Sequence, residues 1–111
     1  MTRTTWNLLA LVIAGPAVAG GGAAPLCYEI IGCVQDRYIS AREAEKLGCD
    51  QLYTVRNGIF ASRGYCFKSG RGQDEFGNEG CTYTDQDQVP LNDYERANVR
   101  VIQSIEKRRG C

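Results

Sequence analysis

The sequence contains no histidine. Nucleophilic catalysis that uses an imidazole as its general base is therefore excluded. The absence also counts against a zinc site, because zinc is usually held by closely spaced cysteine pairs such as C-x-x-C, often together with histidine. The closest cysteines, Cys27 and Cys33, are too far apart to form such a pair. We therefore predict that the chain holds no metal and no cofactor and has no enzymatic activity of its own.

The chain also lacks an excess of either charge, with 13 basic and 13 acidic residues among 111. Nucleic-acid-binding domains usually carry a basic patch, so this balance predicts no nucleic-acid partner. Long hydrophobic runs are absent as well. The apolar run Leu8–Ala14 is far shorter than the ~20 residues that a membrane-spanning helix requires. We predict no membrane span.

What the N-terminus does contain is the order of features of a secretory signal. Arg3 is followed by the apolar run and then by Ala17-Val18-Ala19, an A-x-A cleavage pattern. We predict that residues 1–19 are a signal peptide, cleaved after Ala19, and that the mature chain is periplasmic or extracellular. A buried N-terminal helix is the alternative interpretation, which the glycines after Ala19 disfavour.

All six cysteines lie between residues 27 and 111. An even number of cysteines in a small exported chain indicates disulfides rather than a thiol site. Six cysteines allow 15 pairings. Cross-links suit this chain because a domain of about 90 residues buries only roughly 60–65% of its unfolded surface.

Caps and apolar spacing predict a mainly α fold: a small disulfide-stapled helical domain with a long irregular loop before its C-terminal helix. Ser40 and Glu43 form a capping box for a first helix, which Gly48 would end in a left-handed conformation. Asp50 would cap a second helix that continues to Gly64. Its apolar residues recur at helical spacing: Leu52, Val55 and Ile59.

Three further segments complete this prediction. Residues 69–78 form a short helical turn anchored by Phe76, and residues 80–90 form an extended loop. Asn92 and Glu95 make a second capping box for a helix that ends near Arg109 and buries Ala97, Val101, Ile102 and Ile105. Asn57-Gly58 would favour a hairpin turn instead of the second helix, but its flanks do not alternate.

This arrangement suggests a disulfide map. If the helices from Asp50 and Asn92 pack antiparallel, Cys49 meets Cys111. Cys66 and Cys81 would then close the segment between the helices, which leaves Cys27 to pair with Cys33.

The stretch Arg56–Phe67 reads RNGIFASRGYCF, and with its flanks it resembles the YARHG domain, a bacterial family that is thought to be extracellular. The similarity runs from about Tyr38 to Glu106, and its closing part includes Leu91-Asn92, Glu95 and Asn98-Val99. It implies a YARHG-like domain at residues 37–111, preceded by a cysteine-containing extension at 20–36. The later cysteines look like those of a cysteine-rich proteobacterial branch.

Two departures from the family pattern matter. Ser62-Arg63 stands where the family name has Arg-His, and Gly58 follows Arg56-Asn57 where the family often has an acidic residue. Any chemistry that needs the motif histidine is therefore absent here. The resemblance implies a fold and an extracellular location, but no defined activity.

Arg56, Asn57, Phe60 and Arg63 are the predicted binding residues. In this interpretation a guanidinium is displayed beside an aromatic ring toward a ligand that carries a carboxylate. The structural alternative is that Arg56 and Asn57 bond the backbone of the 80–90 loop.

The function predicted from these features is a non-catalytic binding or interaction module in the cell envelope or outside the cell. Its partner is undefined, with envelope material or an envelope protein as candidates. The alternatives are an envelope enzyme that uses carboxylates such as Asp85, Asp87 and Asp93, and a small secreted protein inhibitor.

Overall fold

A computed structural model describes residues 26–111. The predicted signal peptide at 1–19 and the first part of the predicted extension lie outside the described residues. The described part contains two short strands, four α-helices and one 3-10 turn. In chain order they are β1 (Cys27–Tyr28), β2 (Gly32–Cys33), α1 (Ala41–Ala44), α2 (Cys49–Ser62), α3 (Gly70–Phe76), the 3-10 turn Gln86–Gln88 and α4 (Asp93–Arg109). The mainly helical class is as predicted.

Helix α1 begins at the predicted capping box. The Ser40 hydroxyl accepts from the Glu43 backbone N–H, and the Glu43 carboxylate accepts from the Ser40 N–H. The bond from Ser40, with a further bond from Arg37, lowers the pKa of Glu43. The helix ends at Ala44 rather than Leu47, because the next amides donate to carbonyls three residues back, Lys46 to Glu43 and Leu47 to Ala44.

The predicted roles of Gly48 and Asp50 are wrong. Gly48 has φ −81° and is not a left-handed stop; it is the N-cap of α2, which begins at Cys49. The Gln51 side chain accepts a hydrogen bond from the Gly48 N–H at 2.9 Å. This bond satisfies the amide at the helix entrance, so Asp50 lies inside the first turn, where its charge complements the helix dipole.

Helix α4 starts and ends as predicted. Asn92 and Glu95 form the second capping box. Gly110 adopts φ 73° at the C-terminal end, a left-handed conformation that glycine adopts at no steric cost. The Cys111 N–H then turns back to the Glu106 carbonyl at 2.9 Å, which places the last cysteine beside the helix end.

Helices α2 and α4 pack antiparallel around the core. Their buried apolar residues are Leu52, Val55, Ile59 and Phe60 on α2 and Val99, Ile102 and Ile105 on α4. The buried face of α4 also includes the polar side chains of Glu95 and Asn98, whereas Ala97 and Val101 from the predicted face are only half-buried.

Three disulfides join Cys27 to Cys33, Cys49 to Cys111 and Cys66 to Cys81. These are the three pairs of the predicted map. The Cys49–Cys111 bond links the start of α2 to the end of α4, as the antiparallel packing requires. The Cys27–Cys33 bond crosses the β1–β2 hairpin between two directly paired residues.

Residues 27–36 belong to the same core as the helices. Ile31 and Val34 are 1% and 0% exposed. The buried Asn98 of α4 fixes this segment: its Nδ2 donates to the Val34 and Arg37 carbonyls, and its Oδ1 accepts from the Ile39 N–H, all at 2.9 Å. The predicted boundary at residue 37 therefore does not separate an extension from the packed domain.

The segment between α3 and α4 is irregular, as predicted, and it is anchored at two points. Tyr83 forms a parallel bridge with Tyr65. Val89, which follows the 3-10 turn, is buried against the core. Within residues 26–111 no helix is both long and apolar enough to cross a membrane.

Candidate functional site

Three of the four predicted binding residues lie on α2, and Arg63 is the C-cap residue that follows it. Arg56, Phe60 and Arg63 are spaced by four and three residues, so they share one face of the helix, the face that meets α4. Asn57 is buried, and its Nδ2 donates to the Tyr53 carbonyl at 3.0 Å. Phe60 is 5% exposed and belongs to the core.

Arg56 forms a two-pronged ion pair with Glu106 of α4. Its Nε lies 2.7 Å from Oε1 and its Nη2 lies 3.2 Å from Oε2. The two side chains are 19% and 12% exposed. This fork geometry holds the guanidinium plane against α4, so Arg56 has fewer donors to offer a ligand than an unpaired arginine.

Arg63 is paired in a similar way with Glu95, whose side chain is 0% exposed. Its Nε lies 2.9 and 3.0 Å from the two carboxylate oxygens. The same carboxylate accepts from Gln35 Nε2 at 2.8 Å and from the Asn92 N–H at 2.8 Å. Buried charges require this kind of full pairing and bonding.

The structural alternative, in which Arg56 and Asn57 bond the backbone of residues 80–90, is wrong about the bonding partners. Neither Arg56 nor Asn57 bonds the backbone of residues 80–90 within the described chain. The amides of that loop have other acceptors. The Thr82 and Tyr83 N–H groups donate to the Gly64 carbonyl, and the Gln88 N–H donates to the Asp85 carbonyl. Arg56 of α2 and Arg63 at its C-cap bind carboxylates of α4 because those carboxylates lie at or near the buried helix interface, where they need a countercharge.

Two neighbouring cavities lie along the outer side of α4, next to α2 and the loop before α4; together we call them the α4 groove. The cavity near the N-terminal half of α4 has a volume of about 240 Å³. It is lined by Phe60, Gln86, Asp87, Val89, Leu91, Arg96, Val99, Arg100 and Gln103. The cavity near the C-terminal end of α4 has a volume of about 400 Å³. It is lined by Arg56, Gln103, Glu106, Lys107, Gly110 and Cys111. Gln103 lines both cavities.

The α4 groove is more basic than the chain as a whole. Its lining has four basic and two acidic residues, although the complete sequence is neutral. Arg56 and Arg96 are engaged with Glu106 and Asp93. Arg100 and Lys107 are exposed and form no salt bridge with any residue of the 26–111 part.

Arg100, Gln103 and Lys107 are not among the predicted binding residues. Their signal is the helical spacing of Arg96, Arg100, Gln103 and Lys107, which places them on one face of α4. The adjacent cations Arg108 and Arg109 point away from this face. Arg108 bonds Glu45, and Arg109 donates to the Leu47 and Glu45 carbonyls.

The loop aspartates are solvent-exposed. The Asp85 carboxylate accepts from the Asp87 N–H at 3.0 Å and so caps the 3-10 turn. Asp93 pairs with Arg96 at 3.1 Å. In the described part of the chain, no cluster of three or more cysteine, aspartate or glutamate side chains has the geometry to hold a metal ion.

The family model of the YARHG domain matches residues 27–107. The chain belongs to the YARHG domain family. No curated protein and no solved structure matches it. The matched range includes the β1–β2 hairpin, which packs on the same core as α2 and α4.

In this YARHG domain, most of the residues that carry the resemblance have structural partners. Arg56 holds Glu106, and Arg63, at the position of the motif histidine, holds Glu95. Asn98 fixes the segment that leads into α1. The two arginine–glutamate pairs therefore join α2 and its C-cap to α4.

Proposed function

We propose that this YARHG domain is a non-catalytic binding module of the bacterial cell envelope or the extracellular space. The ligand we propose is anionic material that carries carboxylates, such as cell-wall peptides or acidic polysaccharides, bound in the α4 groove. The observation that carries the proposal is the pair Arg100 and Lys107, two exposed cations on one face of the groove without a salt-bridge partner in residues 26–111.

The surroundings of these two cations suit an extended polar ligand. Gln103 lies between them on the same face and has an amide that can both donate and accept. Phe60 and Val99 supply apolar surface to the groove.

The proposed location rests on the disulfides and on the N-terminal sequence. Three disulfides in a domain of this size are typical of oxidising compartments outside the cytosol. The signal-like order of residues 1–19 supports the same address. The family assignment is consistent with it.

Neutralising both cations tests the proposal. We expect Arg100→Gln with Lys107→Gln to weaken co-sedimentation with purified peptidoglycan, raising the dissociation constant about tenfold, since two exposed ionic contacts contribute about 1.4 kcal/mol together. Raising the salt concentration should weaken the unaltered protein toward the variant.

The matched control is Arg42→Gln with Lys46→Gln, which removes the same charge from exposed positions outside the groove. Thermal unfolding should give the same midpoint for all three proteins. Equal loss of binding in both variants would reduce the effect to net charge and would refute the groove. Hydrolysis of the sedimented material by the protein would instead favour the carboxylate enzyme.

A further inference from the structure

A second surface lies apart from the α4 groove, where the β1–β2 hairpin meets α2; we call it the hairpin cleft. It has a volume of about 260 Å³. Its apolar lining comes from Tyr28 and Ile30 of the hairpin and from Leu47 and Val55. It shares no lining residue with either part of the α4 groove.

Ile30 is the exposed apolar residue at the edge of this cleft. Its side chain is 48% exposed, whereas the adjacent Ile31 is 1% exposed. The turn that carries both residues is fixed by the Cys27–Cys33 disulfide and by the Val34 N–H bond to the Leu26 carbonyl at 3.0 Å. Ile30 is therefore presented on a rigid turn, and a rigid contact loses little conformational entropy on binding.

Other exposed large apolar residues in the described chain have a partner of their own. Tyr38 and Tyr94 contact each other, with ring centroids 4.6 Å apart. Ile30 borders a concave surface instead.

The rim of the hairpin cleft is acidic. Glu29 and Asp50 line it, and no basic residue does. Asp50 contacts Arg71 at 3.0 Å, but its side chain is 93% exposed, and that pair contributes little. Glu29 forms no salt bridge within residues 26–111. The Tyr28 phenol adds no negative charge, because burial, helped by the nearby Glu75, raises its pKa.

We propose that the hairpin cleft docks a segment of a partner protein that inserts one aliphatic side chain and flanks it with lysine or arginine. The cleft supplies the apolar contact through Ile30, Leu47 and Val55, and the rim supplies carboxylates to the cations. Its volume lies just below the range of about 300–1,000 Å³ typical of small-molecule pockets. This protein-docking surface is independent of the ligand proposed for the α4 groove.

Charge decides between this partner and a second copy of the chain. A symmetric dimer through the hairpin cleft would bring Glu29 and Asp50 of both copies together. Like charges that face each other across an interface cost several kcal/mol. A basic partner turns the same carboxylates into favourable contacts, so the acidic rim selects against self-association.

The test uses the peptide acetyl-Lys-Leu-Lys-amide, with acetyl-Glu-Leu-Glu-amide and acetyl-Lys-Ser-Lys-amide as controls, followed by NMR of the methyl groups. We expect shifts at Ile30, Leu47 and Val55 with a dissociation constant of the order of millimolar, as few atoms make contact. Ile30→Ser and Glu29→Lys should each weaken binding at least about threefold. Asp36→Lys, a charge reversal at an exposed position outside the cleft, should leave binding unchanged.

Three outcomes would overturn the proposal. The first is equal binding of the Glu-Leu-Glu peptide, and the second is shifts that survive both cleft variants. The third is a concentration-dependent dimer in sedimentation that Ile30→Ser abolishes, which would assign the cleft to a second copy. Arg100→Gln with Lys107→Gln should not affect peptide binding, so failure of the α4 groove and failure of this cleft are distinguishable.

Discussion

At the scale of single residues, the buried carboxylate of Glu95 explains the role of Arg63, the C-cap residue of α2. An ionised carboxylate without solvent needs a countercharge and several hydrogen bonds. Arg63, Gln35 and the Asn92 amide provide them. The remaining exposure of Arg63, 37%, leaves its charge partly solvated, so its first role is to keep Glu95 inside the domain.

We predict that Arg63→Ala destabilises the domain by about 2–3 kcal/mol, because it leaves a buried charge without its ion-pair partner. Glu95→Gln should partly rescue this variant, since it removes the charge that lacks a partner while an amide oxygen still accepts the capping bond from Asn92. Urea unfolding of the two single variants and the double variant, with the disulfides intact, measures the coupling.

Arg96→Ala provides the control at the residue scale. It breaks the Arg96–Asp93 pair, whose side chains are 50% and 87% exposed, and should cost less than about 0.5 kcal/mol. Equal effects of Arg63→Ala and Arg96→Ala, or no rescue by Glu95→Gln, would mean that Glu95 does not depend on Arg63.

At the scale of elements, Gly58 explains how α2 sits against the hairpin. A Cβ at this position would lie 2.8 Å from the Tyr28 hydroxyl oxygen. A side chain at this position would force Tyr28 to shift, and the Asn57-Gly58 pair lies inside α2 instead of forming a hairpin turn. The usual penalty of about 1 kcal/mol for an internal glycine is offset by this packing.

We predict that Gly58→Ala changes sign with its background. In the unaltered protein it should destabilise by about 1 kcal/mol, because the clash with Tyr28 exceeds the gain in helix propensity. In the Tyr28→Phe background the next atom is Phe76 Cε1 at 3.8 Å, so the same change should stabilise by about 0.5–1 kcal/mol. Thermal and urea unfolding of the four proteins give both values.

Gly70→Ala is the control, since nothing lies within 4 Å of a Cβ there. Its effect should be the same with Tyr28 and with Phe at that position. A Gly58→Ala effect that is equally indifferent to Tyr28 would show that the hydroxyl is not what excludes a side chain.

The sequence predicted the elements whose signals are local. The capping boxes at Ser40 and Asn92 and the glycine after Arg109 fixed the starts of α1 and α4 and the end of α4. It missed the burial of Glu95 and Asn98, because periodicity assigns polar residues to the surface and only tertiary partners reverse this. The α4 groove could not be predicted for a similar reason. Arg100 and Lys107 line it only because α4 packs beside α2 and the preceding loop, and this packing is a tertiary feature.

At the scale of the whole molecule, one disulfide joins two points of the packed unit that are far apart in the sequence. Cys49–Cys111 spans 62 residues and ties the start of α2 to the end of α4. Cys66–Cys81 spans 15 residues and Cys27–Cys33 spans 6. On the chain-entropy account, the loss of conformational freedom in the unfolded chain grows with the length of the closed loop.

We therefore predict a rank order for replacing each pair by serine: about 4 kcal/mol lost for Cys49 and Cys111, about 3 for Cys66 and Cys81, and about 2 for Cys27 and Cys33. Urea unfolding measures the three losses. Hydrogen exchange should show faster opening of the last turn of α4 only in the first variant, since Cys111 is the residue that anchors it. If the 6-residue hairpin bond instead proved the most stabilising, native packing of Ile31 and Val34 would dominate over chain entropy, and the hairpin would be the part on which the core depends most.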